Sequence, residues 1–146
     1  MRKNLLLALG GIVLAGLLIQ LVPYGRGHTN PQANVEPRWD TPATAVLARR
    51  ACFDCHSNET KWPWYSNIAP VSWLVYRDVA EGRTRINFSD WNRPGEQHVD
   101  EFQEVFDENS MPPFYFIWLH PEARLSPAER DALMQGLATL AGSHQP

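Results

Sequence analysis

Two cysteines and a histidine stand together in the sequence as Cys52-Phe53-Asp54-Cys55-His56. The pattern Cys-x-x-Cys-His is typical of covalent attachment of c-type haem. Two thiols at this spacing can each bond one vinyl group of the same porphyrin, and the imidazole of the next residue then lies beneath the iron as its proximal ligand. The motif therefore predicts one covalently bound haem c, held by Cys52 and Cys55, with His56 bound to the iron.

Other interpretations of the two cysteines stay open at this point. A disulfide between Cys52 and Cys55 suits an oxidising compartment but gives His56 no role. A thioredoxin-like redox pair would accompany a βαβ pattern, which the sequence lacks. A zinc site needs four ligands, so His56 and one further histidine would have to join the thiols. The remaining histidines are His28, His98, His120 and His144.

A ligand for the opposite side of the iron is available in several places. Met111 is the preferred candidate, because two prolines follow it directly and stiffen a loop that can hold a thioether against a metal. Met134 lies in a predicted helix and is more simply a packing residue. His120 and His98 are the alternative ligands.

Aromatic residues are concentrated in the same part of the chain: fourteen of sixteen lie between Phe53 and Trp118. A porphyrin is large, flat and hydrophobic and must be shielded from water, so several of these side chains are expected to line its pocket. Trp62, Trp64 and Trp73 are the leading candidates because they follow the attachment motif closely.

Two further contacts with the haem and its ligand are expected. Arg85 is a candidate to neutralise a haem propionate. A backbone carbonyl that accepts the second N–H of a metal-binding imidazole fixes its orientation, and residues 68–70 are the expected source of that carbonyl for His56.

An uncharged run, residues 5–22, follows Arg2 and Lys3 at the amino terminus. As a helix it would extend about 27 Å, which is long enough to cross a membrane. No Ala-x-Ala cleavage site follows it, so an uncleaved transmembrane anchor is favoured over a signal peptide. The two cations predict that residues 1–4 stay in the cytoplasm of a bacterium, with a single pass through the inner membrane and the rest in the periplasm.

The sequence after the anchor predicts an extended linker and one all-α domain. Residues 23–40 are rich in Gly, Pro, Asn and Gln, which is typical of a linker. The domain is expected to cover residues 41–142, to be all-α and to surround one haem.

Capping residues and apolar spacing predict four helices in the domain. Thr41 and the proline after it open the first helix, and Ser126 with Glu129 forms a capping box that opens the last. Gly82 is expected to end the second helix and Gly142 the last. The first helix is predicted to begin at the proline after Thr41, to continue through the good helix formers at 43–50 and to run directly into Cys52. The other predicted ranges are 71–82, 96–107 and 127–142, with apolar stripes from Val99, Phe102, Val105 and Phe106 in the third helix and from Leu133, Leu137 and Leu140 in the last.

Length and charge limit the partners of the protein. A chain of 146 residues is one domain's worth of material. The net charge is −3, and it is −5 without Arg2 and Lys3, which disfavours nucleic acid as a partner. An acidic surface predicts redox partner proteins that carry a basic patch. Contact with the membrane through the N-terminal helix is also expected, and a small-molecule substrate is not.

Four stretches of sequence carry a family resemblance. The first is residues 52–74, with the cysteine motif and Trp62-Pro63-Trp64-Tyr65-Ser66, and the others are Asn87-Phe88-Ser89-Asp90-Trp91, Met111-Pro112-Pro113, and His120-Pro121-Glu122-Ala123-Arg124-Leu125-Ser126. Together they resemble the bacterial haem-binding domain family, which consists of small c-type cytochrome proteins that often have an N-terminal anchor. The resemblance covers roughly residues 40–142. It implies a mono-haem, cytochrome c-like helical fold in the periplasm, although residues 44–50 lack the Gly-x-x-Phe/Tyr motif of ordinary small cytochromes.

Electron transfer is the function that these residues favour. In that case His56 and Met111 keep the iron six-coordinate, so that it changes oxidation state without binding a substrate. The alternative is a peroxidase-like haem enzyme or a haem-based sensor, whose distal position is open or occupied by His120. A purely structural role would leave the methionine loop unexplained. An electron carrier is therefore favoured over an enzyme, and no catalytic residue is assigned.

Overall fold

The computed structural model describes residues 1–93, 97, 98 and 101–144. Within these residues the chain is helical and has no β-strand, although an isolated parallel bridge joins Val35 and Asp90. The expected all-α fold is therefore confirmed. The α-helices are α1 (Arg2–Ile19), α2 (Pro42–Ala51), α3 (Phe53–His56), α4 (Val71–Arg85), α5 (Phe102–Asp107), α6 (Phe114–Leu119) and α7 (Pro127–His144), with short 3-10 helices at Trp64–Asn67 and Pro121–Ala123.

The chain divides into two compact units. The first contains Met1–Thr29 and Trp62–Asp78. The second contains Asn30–Lys61 and Val79–Pro146. The cysteine motif belongs to the second unit.

Helix α1 in the first unit has no buried residue. It is long and apolar enough to cross a membrane. It begins at Arg2, slightly before the uncharged run, because Arg2 and Lys3 are good helix formers. Just after its end, the side-chain amide of Gln20 donates to the Ala69 carbonyl at 2.9 Å and accepts from the Ala69 amide at 3.0 Å.

Three helices form the core of the second unit: α2 and α5 both pack against α7. The Thr41 side chain caps α2 as expected, because its hydroxyl oxygen accepts a hydrogen bond from the Thr44 amide at 3.1 Å. The apolar stripe of α7 points inward as expected. The core side chains are Leu47, Ala48, Phe53, Ile86, Phe88, Trp91, Phe102, Phe106, Leu133, Leu137 and Leu140.

Residues 30–40, which composition assigns to the linker, make specific contacts within the second unit. The Asn30 side chain donates to the Thr60 carbonyl at 2.9 Å. The Asn34 amide donates to the Ser89 carbonyl at 2.8 Å, and the Trp91 amide donates to the Val35 carbonyl at 2.9 Å. This stretch of chain is therefore held along the domain by backbone hydrogen bonds.

Two helix ends differ from the expectation because a glycine does not end the helix. Helix α4 continues past Gly82 to Arg85, and α7 continues past Gly142 to His144. A glycine inside a helix costs only about 1 kcal/mol relative to alanine, so a single glycine cannot end a helix that tertiary contacts support. The prediction that Gly82 and Gly142 end their helices is therefore wrong.

The middle of the domain also differs from the expectation. Helix α5 occupies Phe102–Asp107, and of its expected stripe Phe102 and Phe106 are buried. Glu96 and Val99, with which the predicted helix begins, lie outside the described residues. Helix α6 was not expected, because the prolines before it suggested a connection.

The capping box at the start of α7 is confirmed and also carries an ion pair. The Ser126 amide donates to the Glu129 carboxylate at 2.8 Å, and the Glu129 amide donates to the Ser126 hydroxyl at 3.3 Å. The Arg50 guanidinium at the end of α2 reaches the same carboxylate at 2.7 Å. The Ser126 amide, the Arg50 guanidinium and the Ser126 hydroxyl together lower the pKa of Glu129 from its ordinary value of 4.5 to about 2.

We predict that Glu129→Gln removes one component of the acid sensitivity of the fold. Because the pKa of Glu129 is lower in the folded chain, its stabilisation is complete above pH 4.5 and is lost as the pH falls through about 2. The free energy of unfolding should be measured for both proteins between pH 6 and roughly 2. The difference in free energy of unfolding between the wild type and Glu129→Gln should become smaller as the pH falls. Glu108→Gln, at an exposed position, should produce no such pH-dependent difference. A gap that stays constant would contradict the role of this carboxylate.

Candidate functional site

The two cysteines bracket one turn of chain at the point where α2 ends. The Cys52 amide still donates to the Ala48 carbonyl at 2.8 Å, which completes the last turn of α2. The Cys52 carbonyl then accepts from the Cys55 amide at 3.2 Å and from the His56 amide at 2.9 Å. Helix α3 is therefore a new turn that follows directly after Cys52, and the three residues of the motif lie within about one helical turn of chain.

The thiols are not joined in a disulfide. Burial raises the pKa of the Cys52 thiol to about 12, so this thiol is protonated at neutral pH. The described residues contain no group of three or more His, Cys, Asp or Glu side chains that could hold a metal ion. The structure thus gives no support to the disulfide or the zinc interpretation.

The His56 imidazole is oriented by two backbone carbonyls. Its Nδ1 lies 3.0 Å from the Gly82 oxygen and 3.3 Å from the Ile86 oxygen. Both oxygens are acceptors, so Nδ1 carries the proton and the lone pair is on Nε2. Burial lowers the pKa of His56, against the opposing effect of the two carbonyls. A neutral imidazole with a free Nε2 lone pair is the form that binds a metal.

Gly82 lies in the last turn of α4, and Ile86 is the residue directly after this helix. The assignment of this role to residues 68–70 is therefore wrong. Gly82 and Ile86 were not expected near His56, because the helix was predicted to end at the glycine. The available signal was Ile86 itself, which continues the apolar spacing of Val75 and Val79 along the helix.

Gly82 is required by the close approach of α4 to the cysteine turn. A Cβ at this position would lie 2.5 Å from the Cys55 carbonyl oxygen and 3.1 Å from its carbon. Both atoms are backbone, so they cannot move aside as a flexible side chain could. The absence of a side chain at Gly82 lets the backbones of α4 and α3 come together, which brings the Gly82 carbonyl to His56.

The residue after Gly82 holds the chain that leaves the motif. The Arg83 guanidinium donates to the Ser57 carbonyl at 2.7 Å, to the Thr60 hydroxyl at 2.9 Å and to the Asn30 side-chain oxygen at 2.9 Å. Desolvation lowers the pKa of Arg83, with an opposing electrostatic effect of Cys55. Arg83 was not anticipated, since a single arginine in a helical segment carries no distinctive sequence signal.

A buried polar network continues from Ser57. The Asn58 amide donates to the Ser89 hydroxyl at 3.0 Å, and the Asn87 side chain donates to the Asn58 side-chain oxygen at 2.9 Å. The His56 carbonyl accepts from the Phe88 amide at 2.8 Å. These groups are mutually satisfied, so they fix the backbone that follows His56 in the interior.

The other expected iron ligands lie in the second unit with His56. Met111 is 36% exposed, just after α5. The Nδ1 atom of His98 lies 3.3 Å from the Glu101 carboxylate. The Nδ1 atom of His120 lies 3.2 Å from the Glu122 carboxylate, and the His120 ring stacks on Phe116 with 4.4 Å between ring centroids.

The three candidate tryptophans all belong to the first unit. Trp62 stacks on the His28 ring at 4.4 Å, and Trp64 is 76% exposed. The Trp73 indole Nε1 is buried without a hydrogen-bond partner among the described residues.

The Arg85 side chain, expected near a propionate, forms an ion pair with Glu101 at 2.6 Å.

The donor set of the motif fits a haem. Two thiols flank one turn, an imidazole follows with Nδ1 committed to carbonyls, and its Nε2 is left for iron.

Comparison with known proteins agrees with this chemistry. The family model of a haem-binding domain matches residues 14–139 of the chain. Neither the curated proteins nor the solved structures contain a match.

We predict that Gly82→Ala impairs haem incorporation and destabilises the domain. The added methyl group would overlap the Cys55 backbone, so α4 must move away and take its carbonyls from His56. Overpacking of this kind costs about 1–3 kcal/mol. Gly142→Ala is the matched control, because a Cβ there would meet no atom within 4 Å. Haem absorbance per polypeptide and the free energy of unfolding should fall in the first variant only. Equal behaviour of the two variants would contradict the proposed importance of the close approach.

Proposed function

Since the chain belongs to the haem-binding domain family, we propose that it is a membrane-anchored c-type cytochrome that transfers single electrons in the bacterial periplasm. The observation that carries the proposal is the His56 geometry, in which two carbonyls at 3.0 and 3.3 Å occupy Nδ1 and leave Nε2 for iron. When bound, the haem supplies an iron that alternates between the ferrous and ferric states.

Each residue of the motif has a distinct task in this proposal. Cys52 and Cys55 hold the porphyrin through thioether bonds, and their shared turn sets the spacing of the two sulfur atoms. His56 binds the iron. The carbonyls of Gly82 and Ile86 fix the tautomer and direction of the imidazole, and a hydrogen bond of this kind also increases the basicity of the ligand.

Met111 is the proposed sixth ligand. It lies after Asn109, whose φ of 53° places it in the left-handed region that asparagine tolerates, and directly before two prolines. The Met111 side chain is partly exposed, so its thioether is available to a ligand. A methionine–histidine pair raises the reduction potential and leaves no open position for a substrate, which suits an electron carrier.

One observation favours the alternative of an enzyme or sensor with His120 on the iron. The Glu122 carboxylate lies 3.2 Å from Nδ1 of His120. A carboxylate that accepts from one ring nitrogen is the common arrangement for a histidine whose other nitrogen binds metal. His120 is therefore the control position in any test of Met111.

The N-terminal helix supports attachment to the membrane. Helix α1 has no buried residue and is long enough to span the hydrocarbon core. Arg2 and Lys3 at its start favour a cytoplasmic amino terminus. An anchored carrier stays close to membrane-bound redox proteins, which increases its effective concentration there. Its net negative charge favours partners with a basic patch.

Intact-mass analysis tests covalent attachment. The chain should be expressed with the periplasmic maturation machinery and should gain the mass of one haem, bound through two thioether links. The variant with both Cys52→Ala and Cys55→Ala should lack this mass. A wild-type chain that stays a bare polypeptide after maturation would overturn the proposal of a c-type cytochrome.

We predict that Met111→Ala converts the ferric iron from low-spin to high-spin and abolishes the near-infrared methionine–iron charge-transfer band. His120→Ala, the control, should retain both features. The measurement is visible and near-infrared absorption of the purified ferric proteins. The opposite pattern, with loss of the low-spin spectrum in His120→Ala alone, would favour the alternative. The reduction potential of Met111→Ala should fall, because the thioether favours ferrous iron.

A further inference from the structure

Helix α6 consists only of apolar and aromatic residues, yet none of them is buried. Its sequence is Phe-Tyr-Phe-Ile-Trp-Leu. Phe114 is 77% exposed and Trp118 is 80% exposed. Single exposed apolar side chains are common, but two large aromatic rings on one short helix form a surface that is typical of a binding site.

The two faces of α6 differ. Phe116 and His120, four positions apart, stack on each other with 4.4 Å between ring centroids. Phe114 and Trp118 are also four positions apart and therefore lie together on one face. Since position 116 is about 200° around the helix from position 114, the exposed pair lies roughly opposite the stacked pair. Leu119 is also exposed, at 57%, but the two most exposed side chains of α6 are the aromatic pair, and we call their side of the helix the Phe114/Trp118 face.

This face is connected rigidly to the proposed sixth ligand. Met111 is separated from Phe114 only by Pro112 and Pro113, whose fixed φ angles limit the freedom of the link. Met111 is itself partly exposed and apolar. A ligand that reaches the Met111 sulfur therefore also comes close to the start of α6.

The charges near α6 argue against a lipid surface as the occupant. Helices that lie in a bilayer interface combine an apolar face with lysine and arginine on the polar face. Helix α6 contains no cation, and the nearest charged residues in sequence are acidic: Asp107 and Glu108 before it and Glu122 after it. The flat, apolar ligand that the family binds fits this surface better.

We propose that the Phe114/Trp118 face covers the haem on the side where Met111 binds the iron, and that it keeps water and small ligands away from that side. The proposal rests on the proposed function, because it takes Met111 as the sixth ligand. An apolar wall lowers the local dielectric and limits solvent access, so it also raises the reduction potential. In this arrangement Phe114 and Trp118 shield the haem from water and do not bind the iron.

The test uses mature, full-length holoprotein with Phe114→Ser or Trp118→Ser. Val46→Ser is the matched control, since Val46 is an exposed apolar side chain, 61% accessible, on α2 of the same unit. The measurements are the rate of cyanide binding to the ferric protein and the ratio of ferrous to ferric protein at a fixed solution potential. Each serine variant should bind cyanide about tenfold faster and shift the ratio about threefold towards ferric iron. The control should change neither quantity by more than about twofold.

The result that would overturn the inference is an unchanged cyanide rate and ratio in both serine variants. Quenching of the tryptophan fluorescence by brominated phosphatidylcholine that is lost in Trp118→Ser, without a change at the iron, would instead assign the face to the membrane and would also overturn it. Failure of the proposed function is distinguished by the wild-type spectrum. The wild-type protein can show the methionine–iron band while the serine variants change neither the cyanide rate nor the ferrous-to-ferric ratio. In that case Met111 remains the sixth ligand, and only the covering role of α6 is refuted.

Discussion

The structure depends on the approach of helix α4 to the single turn that carries the cysteine motif. At Gly82 the two backbones are so close that no side chain fits between them. This contact brings the carbonyls of Gly82 and Ile86 to His56, from 26 and 30 positions further along the chain. A motif of five residues can bring two thiols and an imidazole together, but it cannot orient the imidazole. The orientation comes from a distant helix, and a glycine permits it.

The motif turn is also held from its other side by aromatic packing. Phe53, between the two cysteines, is buried and stacks on Phe88 with 5.5 Å between ring centroids and 6° between planes. Phe88 stacks in turn on Trp91 at 5.9 Å. Aromatic residues of this domain thus occupy two kinds of position. Phe53, Phe88 and Trp91 pack together in the core. Phe114 and Trp118 on α6 are exposed and lie close to Met111 in the sequence.

The residues proposed to hold the haem differ in how firmly the structure fixes them. In the chain that follows His56, buried hydrogen bonds of Asn58, Asn87 and Ser89 and the guanidinium of Arg83 fix the backbone. Preorganisation of this kind keeps a metal ligand in one geometry when the charge of the metal changes. Met111, by contrast, is an exposed apolar side chain.

The sequence by itself determined the features that depend on neighbouring residues. The cysteine motif, the Thr41 cap of α2, the capping box at Ser126 and the apolar N-terminal helix are all local patterns, and the structure contains each of them. Only the tertiary structure decided what Gly82 does. By local rules a glycine ends a helix, but here the contact with Cys55 requires a residue without a side chain inside the helix. The exposure of α6 was equally hidden, because an apolar sequence predicts burial unless the packing of the whole domain is known.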